Sequence, residues 1–110
     1  MTMISTYPGT APTRAELDRS PGPVLIEFGA ASCGLCRAAQ PVIAKALREH
    51  PGVRHIKVGD GPGQPLGRSF GVKLWPTLIA LRDGLEIARL VRPMSDGPIV
   101  KMLASIDGPA

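Results

Sequence analysis

The sequence is poor in cysteine and in aromatic residues. The chain has two cysteines, one tryptophan, one tyrosine and two phenylalanines among its 110 residues. Two cysteines cannot build the framework of several disulfides that holds many small secreted domains together. The chain therefore depends on an ordinary hydrophobic core, and its 44% hydrophobic and 20% charged residues are typical of a globular protein.

Long apolar runs and clusters of basic residues are also missing. No segment approaches the roughly 20 apolar residues of a membrane-spanning helix. The segment MTMISTYPGTAPTRAELDRSPG has no early Lys or Arg and no long apolar stretch, so we expect no secretory signal and a cytoplasmic location. The net charge is +4, but the 13 basic residues are scattered and do not alternate with aromatics. We therefore expect neither a membrane nor a nucleic acid as a partner.

Hydrophobic patterns predict strands that alternate with helices. The predicted strands are 2–7, 24–30, 53–58, 77–81 and 85–91, and the predicted helices are 13–19, 33–49 (starting at 32 or 33), 66–70 and 96–106. Strands that alternate with helices, followed by a hairpin with its turn at Asp83-Gly84 and by a last helix, predict an α/β protein with a central mixed sheet flanked by helices on both faces. No linker divides the chain, so we expect one domain over 1–110, with an N-terminal strand and helix in 1–22 and a tail at 107–110.

Individual residues predict where the helices begin and bend. Thr13 and Glu16 have the spacing of a capping box, in which each side chain bonds the backbone N–H of the other residue. Ser95 can cap the last helix in a similar position. Pro41 lies inside the second helical pattern and predicts a kink there, because proline lacks the backbone N–H that a helix needs.

The two cysteines and the two histidines permit two kinds of site. Cys33, Cys36, His50 and His55 are spaced C-x2-C-x13-H-x4-H, which is compatible with a zinc site, while the first pair alone is compatible with a redox site. The residues from Cys36 to His50 read as one helix, which would separate these two side chains by about 20 Å along its axis. Zinc ligands must all lie within roughly 2.3 Å of one ion. The redox interpretation is therefore preferred, and no metal or organic cofactor is expected.

The cysteine pair lies where a predicted strand passes into a predicted helix. Cys33 would stand at the helix N-terminus, where unpaired N–H groups and the helix dipole favour a thiolate. Cys36 would lie one turn further in, close enough to attack a mixed disulfide formed by Cys33. This arrangement predicts thiol–disulfide exchange, with Cys33 as the nucleophile and Cys36 as the resolving thiol.

Glu27 is the single charged residue of the strand VLIEF, and two interpretations of it stay open. In a central strand its carboxyl group would be desolvated, its pKa would be raised, and it could accept the proton of Cys36. At a sheet edge it would simply point into solvent.

Two segments resemble the thioredoxin family. EFGAASCGLCRAAQP resembles the family's active-site motif, with Cys33 at the attacking cysteine, Cys36 at the resolving cysteine, Glu27 at the buried aspartate and Pro41 at the kinking proline. FGVKLWPTLIAL resembles the family segment that contains the cis-proline, which would be Pro76, facing the cysteines. A proline is also acceptable at the start of a buried strand, where no ladder N–H is lost.

The resemblance covers about 24–106 and implies further roles. Lys57 matches a lysine that pairs with the buried acid. Four residues depart from the family pattern, near the groove where substrates bind: Ser32 replaces a tryptophan, Leu35 a proline, Trp75 a smaller residue, and Arg92 falls in a segment that usually contains glycine. We expect the Trp75 ring to lie beside the cysteines and to replace the apolar surface missing at Ser32.

The resemblance implies a thioredoxin fold and a protein-disulfide oxidoreductase. Its substrates would be protein disulfides, its electrons would come from a donor of the thioredoxin-reductase type, and it would act as a monomer. The alternative is a redox-silent interaction module that keeps the fold and uses the altered groove for docking. Zinc binding is the less favoured third possibility.

Overall fold

The computed structural model describes Tyr7 and residues 11–108. Along these residues the elements are α1 (Arg14–Asp18), β1 (Pro23–Gly29), α2 (Gly34–Arg48), β2 (Arg54–Gly59), α3 (Pro65–Ser69), β3 (Thr77–Arg82), β4 (Leu85–Val91) and α4 (Asp96–Ile106). The strands predicted after residue 23 and the four predicted helices are confirmed, with ends shifted by one or two residues. The strand predicted at 2–7 lies outside the described residues except for Tyr7, as does the end of the predicted tail.

The strands form one mixed sheet in the order β2-β1-β3-β4. β1 pairs in parallel with β2 and antiparallel with β3, and β3 pairs antiparallel with β4. β1 therefore has a neighbour on each side, which places its side chains in the interior of the molecule. The predicted thioredoxin fold is confirmed.

Alternation along β1 divides the core into two layers. Leu25 packs with residues of α2 and α4 on one face of the sheet. Val24, Ile26 and Phe28 pack with residues of α1 and α3 on the other. Because side chains of a strand alternate between faces, Glu27 shares the face of Leu25 and lies under α2. This alternation places the Glu27 carboxyl group on the face of the sheet that is covered by α2, the helix that begins at the cysteines.

The helix ends follow the sequence with one exception. Thr13 and Glu16 form the predicted capping box at α1. Ser95 occupies the N-cap position of α4, but its side chain makes no capping hydrogen bond, so that part of the prediction is wrong. An acidic residue in the first turn, Asp96, is placed to interact favourably with the helix dipole instead. α2 continues through Pro41 without ending.

Within the described part of the chain, no helix combines the length and the apolar character needed to cross a lipid bilayer.

Candidate active site

The two cysteines stand at the junction between β1 and α2. Cys33 is the N-cap residue of α2, and its Sγ accepts a hydrogen bond from the backbone N–H of Cys36 at 3.1 Å. Cys33 is half-buried, whereas Cys36 is only 1% exposed. The first sulfur is therefore accessible at the positive end of the helix, and the second is shielded behind it.

The pKa of the Cys36 thiol is raised to about 11. Burial is the main cause, and the hydrogen bond with Cys33 and the charge of Cys33 add to it. Cys36 is therefore a protonated thiol at neutral pH. Since the thiolate is the attacking species, Cys36 has to lose this proton before it can displace a substrate from Cys33.

Glu27 is fully buried and hydrogen-bonded on both carboxylate oxygens. Its Oε2 accepts from the Tyr7 hydroxyl at 2.7 Å and from Nε2 of Gln40 at 2.8 Å. Its Oε1 lies 2.9 Å from Nε2 of His55. The interpretation of Glu27 as an exposed edge residue is wrong, and the interpretation of it as a buried carboxyl group is confirmed.

The predicted upward shift of the Glu27 pKa is also wrong. Burial alone raises the pKa, as expected, and is the largest single influence. Hydrogen bonds from His55, Gln40 and Tyr7, together with the charge of Lys57, outweigh it and hold the pKa below its usual value. Glu27 is therefore an ionised carboxylate that is stabilised by its donors rather than a neutral acid.

Lys57 supports this cluster from β2. It is the register partner of Glu27 in the parallel pair of strands. Its Nζ donates to Oε1 of Gln40 at 2.8 Å and lies 4.7 Å from the centre of the Tyr7 ring, a cation–π distance. Lys57 thereby orients two of the groups that donate to Glu27.

Three members of the cluster, Tyr7, Gln40 and His55, were not predicted from the sequence. His55 is two positions from Lys57, so strand alternation could have placed both on the face of Glu27. Gln40 lies one helical turn after Cys36 on the buried side of α2, which the helical period could have indicated. Tyr7 had no such signal, because its contact with Glu27 spans 20 positions of the chain and follows no local pattern.

Trp75 and Pro76, which were predicted to shape the substrate groove, lie directly before β3. Their peptide bond is cis, Pro76 is buried and Trp75 is half-buried. The indole Nε1 of Trp75 donates to Oδ2 of Asp60 at 2.8 Å, and the N–H of Asp60 donates to the carbonyl of Gly29 at 2.8 Å. The indole is thereby connected to the end of β1, from which the cysteine turn departs. Its expected position beside the sulfurs stays a prediction.

Arg92 fixes the same peptide from the other side. Its Nε donates to the carbonyl of Trp75, and its backbone N–H donates to the carbonyl of Pro76, both at 2.8 Å. Arg92 has a positive φ of 53°, a conformation that glycine adopts more easily. Ser32 is exposed in the turn that precedes Cys33.

The histidines are bound elsewhere than at the cysteines. His50 lies 2.8 Å from Oδ2 of Asp107, beyond the far end of α2, while His55 contacts Glu27. Tyr7 and residues 11–108 contain no group of three or more His, Cys, Asp or Glu side chains that could hold a metal ion. The four residues of the C-x2-C-x13-H-x4-H spacing therefore do not converge on one point.

Comparisons with known proteins agree with this geometry. The thioredoxin family model matches residues 11–105. The chain is 34% identical to a thioredoxin of Chlamydia muridarum over 83 residues, which cover 76% of this chain and 81% of that protein. It is 53% identical to the reduced form of thioredoxin 2 from Pseudomonas aeruginosa PAO1, with a TM-score of 0.83 and coverage of 94% and 95%. It is 25% identical to oxidised mitochondrial thioredoxin 3 from Saccharomyces cerevisiae, with a TM-score of 0.71 and coverage of 83% and 85%.

Proposed function

The chain belongs to the thioredoxin family and is a thiol–disulfide oxidoreductase, and we propose that Cys33 and Cys36 carry its reaction. The observation that supports this assignment is the geometry at the start of α2. There Cys33 caps the helix with an accessible sulfur that accepts the Cys36 N–H, and Cys36 lies buried behind it. The redox-silent module is not favoured by the comparisons.

The proposed cycle transfers two electrons to a protein disulfide. The Cys33 thiolate attacks one sulfur of the client, the client disulfide breaks, its other sulfur leaves as a thiolate that takes a proton from water, and a mixed disulfide with Cys33 forms. Cys36 then loses its proton and attacks the Cys33 sulfur. The bond between Cys33 and the client breaks, the client sulfur leaves as a thiolate that takes a proton from water, and the enzyme retains a Cys33–Cys36 disulfide.

Glu27 is proposed to accept the proton of Cys36. It is ionised, and it lies with Cys36 in a region closed to solvent, since the two residues are 0% and 1% exposed. The charge of Cys33, which contributes to the high pKa of Cys36, disappears in the mixed disulfide. Proton transfer is therefore easiest at the step that needs it. Lys57 supports Glu27 through its charge and through Gln40.

The client is proposed to bind across the cysteine turn and the cis peptide. Pro76 and Trp75 are held from both sides by Asp60 and Arg92. Arg92 occupies the carbonyls of both residues and Pro76 has no N–H, so the backbone N–H of Trp75 is the group proposed to pair with an extended client segment. Ser32, next to Cys33, leaves room there because it is small and exposed.

The family implies protein disulfides as substrates and a reductase-type electron donor. We further propose that the protein acts in the cytoplasm as a monomer, that residues 1–110 form one domain, and that no metal or organic cofactor takes part. The scarcity of cysteine and the scattered surface charge support these proposals.

Reduction of insulin by dithiothreitol tests the proposed roles of the cysteines. The wild-type protein should accelerate precipitation of the insulin B chain, and Cys33→Ser should abolish the acceleration. Cys36→Ser should retain attack on a disulfide but stop after one turnover. Equal background rates for the wild type and Cys33→Ser would show that the cysteine pair is silent.

A further inference from the structure

The Tyr7 hydroxyl lies between the resolving cysteine and the buried carboxylate. It donates to Oε2 of Glu27 at 2.7 Å. A methyl group added to Gly29 would overlap both this hydroxyl and the Cys36 sulfur, so the two atoms lie against the same face of Gly29. Tyr7 therefore occupies the space through which a proton would have to pass from Cys36 to Glu27.

The second carboxylate oxygen of Glu27 is in contact with a partly exposed residue. Oε1 lies 2.9 Å from Nε2 of His55, whose side chain is 27% exposed, whereas that of Glu27 is fully buried. His55 therefore bonds the buried carboxylate and is itself partly exposed to solvent. Because this contact helps to hold the pKa of Glu27 below its usual value, His55 acts as a donor that fixes Oε1, while Tyr7 and Gln40 donate to Oε2.

The groups around this carboxylate come from three elements. The segment before α1 supplies Tyr7, and β2 supplies His55 and Lys57. α2 supplies the neutral amide of Gln40, and also Cys36, next to Tyr7. Burial, followed by the bond to Glu27, raises the pKa of Tyr7 far above its ordinary value. Its hydroxyl therefore stays protonated and can pass a proton only by giving one up as it receives another.

We infer that the Tyr7 hydroxyl forms the path by which the Cys36 proton reaches Glu27, and that His55 is a positioning residue that holds the carboxylate for this transfer. This inference rests on the proposed function, in which Glu27 receives that proton. In the resolving step the Cys36 S–H proton moves to Oη of Tyr7 while the Tyr7 proton moves to Oε2 of Glu27. The Cys36 thiolate attacks Cys33, and Glu27 holds the proton until the disulfide is reduced again, when the same two transfers run in reverse and return the proton to Cys36.

The ring of Tyr7 is held independently of its hydroxyl. Nζ of Lys57 lies 4.7 Å from the ring centre, a contact that phenylalanine also makes. Tyr7→Phe therefore removes the relay atom while it keeps the ring in place. The variant separates proton transfer from packing.

Single-turnover reduction of a nitroaromatic disulfide tests the path. The first coloured thiolate reports attack by Cys33, and the second reports attack by Cys36. Tyr7→Phe should leave the first phase unchanged and slow the second by on the order of 100-fold, the lower end of the range for general acid–base catalysis. In the wild type, the second phase should show a larger solvent deuterium isotope effect than the first.

The two histidines give a matched control. His55→Gln keeps a donor beside Glu27 and should leave the second phase close to that of the wild type, whereas His55→Ala removes the contact that fixes Oε1 and should slow the second phase. His50→Gln removes a histidine that faces Asp107 instead, and it should match the wild type in both phases.

The outcomes distinguish a failure of the proton path from a failure of the proposed function. A second phase that slows in Glu27→Gln but not in Tyr7→Phe overturns the path and leaves the role of Glu27 intact. A second phase unchanged in Glu27→Gln overturns the role of Glu27, and a missing first phase overturns the role of Cys33. If Tyr7→Phe does not fold, equal isotope effects on the two wild-type phases still contradict the path.

Discussion

The indole of Trp75 is held by the carboxylate of Asp60, with 2.8 Å between Nε1 and Oδ2. Asp60 also bonds the carbonyl of Gly29, the last residue of β1. Three separate segments therefore meet at one acid: the end of the central strand, the loop after β2 and the cis peptide. The position of the cis peptide relative to the cysteine turn depends on this contact.

The fluorescence of Trp75 should report the redox state of the cysteines. Trp75 is the single tryptophan, so the signal has one source. If the ring lies beside the sulfurs, forming the Cys33–Cys36 disulfide should change its emission. Asp60→Ala should release the indole, lower its fluorescence anisotropy and slow insulin reduction, whereas Asp60→Asn keeps an acceptor oxygen and should resemble the wild type. Emission that is identical in both redox states would place the ring away from the cysteines.

Glu27 should make the stability of the protein depend on acid. Its folded-state pKa lies below its ordinary value of 4.5, so the folded protein binds this proton less tightly than the unfolded chain does. The carboxylate therefore adds stability above that ordinary value, and the contribution is lost as the pH falls through the lowered folded-state pKa. Glu27→Gln should be less stable than the wild type at neutral pH, and the difference should shrink in acid.

Urea unfolding at neutral and acidic pH measures this effect. Glu49→Gln is a suitable control because Glu49 is exposed at the end of α2. A constant difference between the wild type and Glu27→Gln across the acid range would contradict the lowered pKa.

Gly29 and Gly34 should differ sharply in their tolerance of alanine. A methyl group at Gly29 would displace the Tyr7 hydroxyl or the Cys36 sulfur, and we expect a loss of roughly 1–3 kcal/mol in the free energy of unfolding. At Gly34 the nearest atom, Nη2 of Arg37, is 3.8 Å away, so alanine fits. Gly34→Ala should be neutral or stabilising by up to about 1 kcal/mol, since alanine favours a helix. Equal stabilities in chemical denaturation would show that the space beside Gly29 is not filled as described.

Arg92 should be replaceable by glycine but not by alanine. Both substitutions remove the bond from Nε to the Trp75 carbonyl, which should cost about 1 kcal/mol. Glycine also relieves the positive φ of 53°, which should return about the same amount. Thermal unfolding should therefore place Arg92→Gly near the wild type and Arg92→Ala below it. Two variants of equal stability would show that the backbone at this position carries no strain.

The sequence predicts what depends on neighbouring residues. Cys33 and Cys36 lie within one helical turn, and their roles follow from the change of pattern between a buried strand and a helix. The hairpin through Asp83 and Gly84 and the capping box at Thr13 are similarly local, and the structure confirms both.

The environment of Glu27 could not be predicted in the same way. The sequence indicates that its strand is buried, and burial by itself raises a carboxyl pKa. The direction is reversed by Tyr7, Gln40 and His55, which come from three other parts of the chain and meet only in the folded molecule. Counting donors requires the tertiary structure, and the pKa depends on that count.

Mass spectrometry of trapped mixed disulfides tests the assignment of the two cysteines most directly. Cys36→Ser leaves Cys33 able to attack but removes the thiol that releases the client, so a covalent complex should accumulate on a disulfide-containing protein. Peptide mapping should place the linkage at Cys33, and Cys33→Ser should trap nothing, because Cys36 is buried and protonated at neutral pH. A linkage through Cys36, or equal trapping by both variants, would contradict the assignment of Cys33 as the nucleophile.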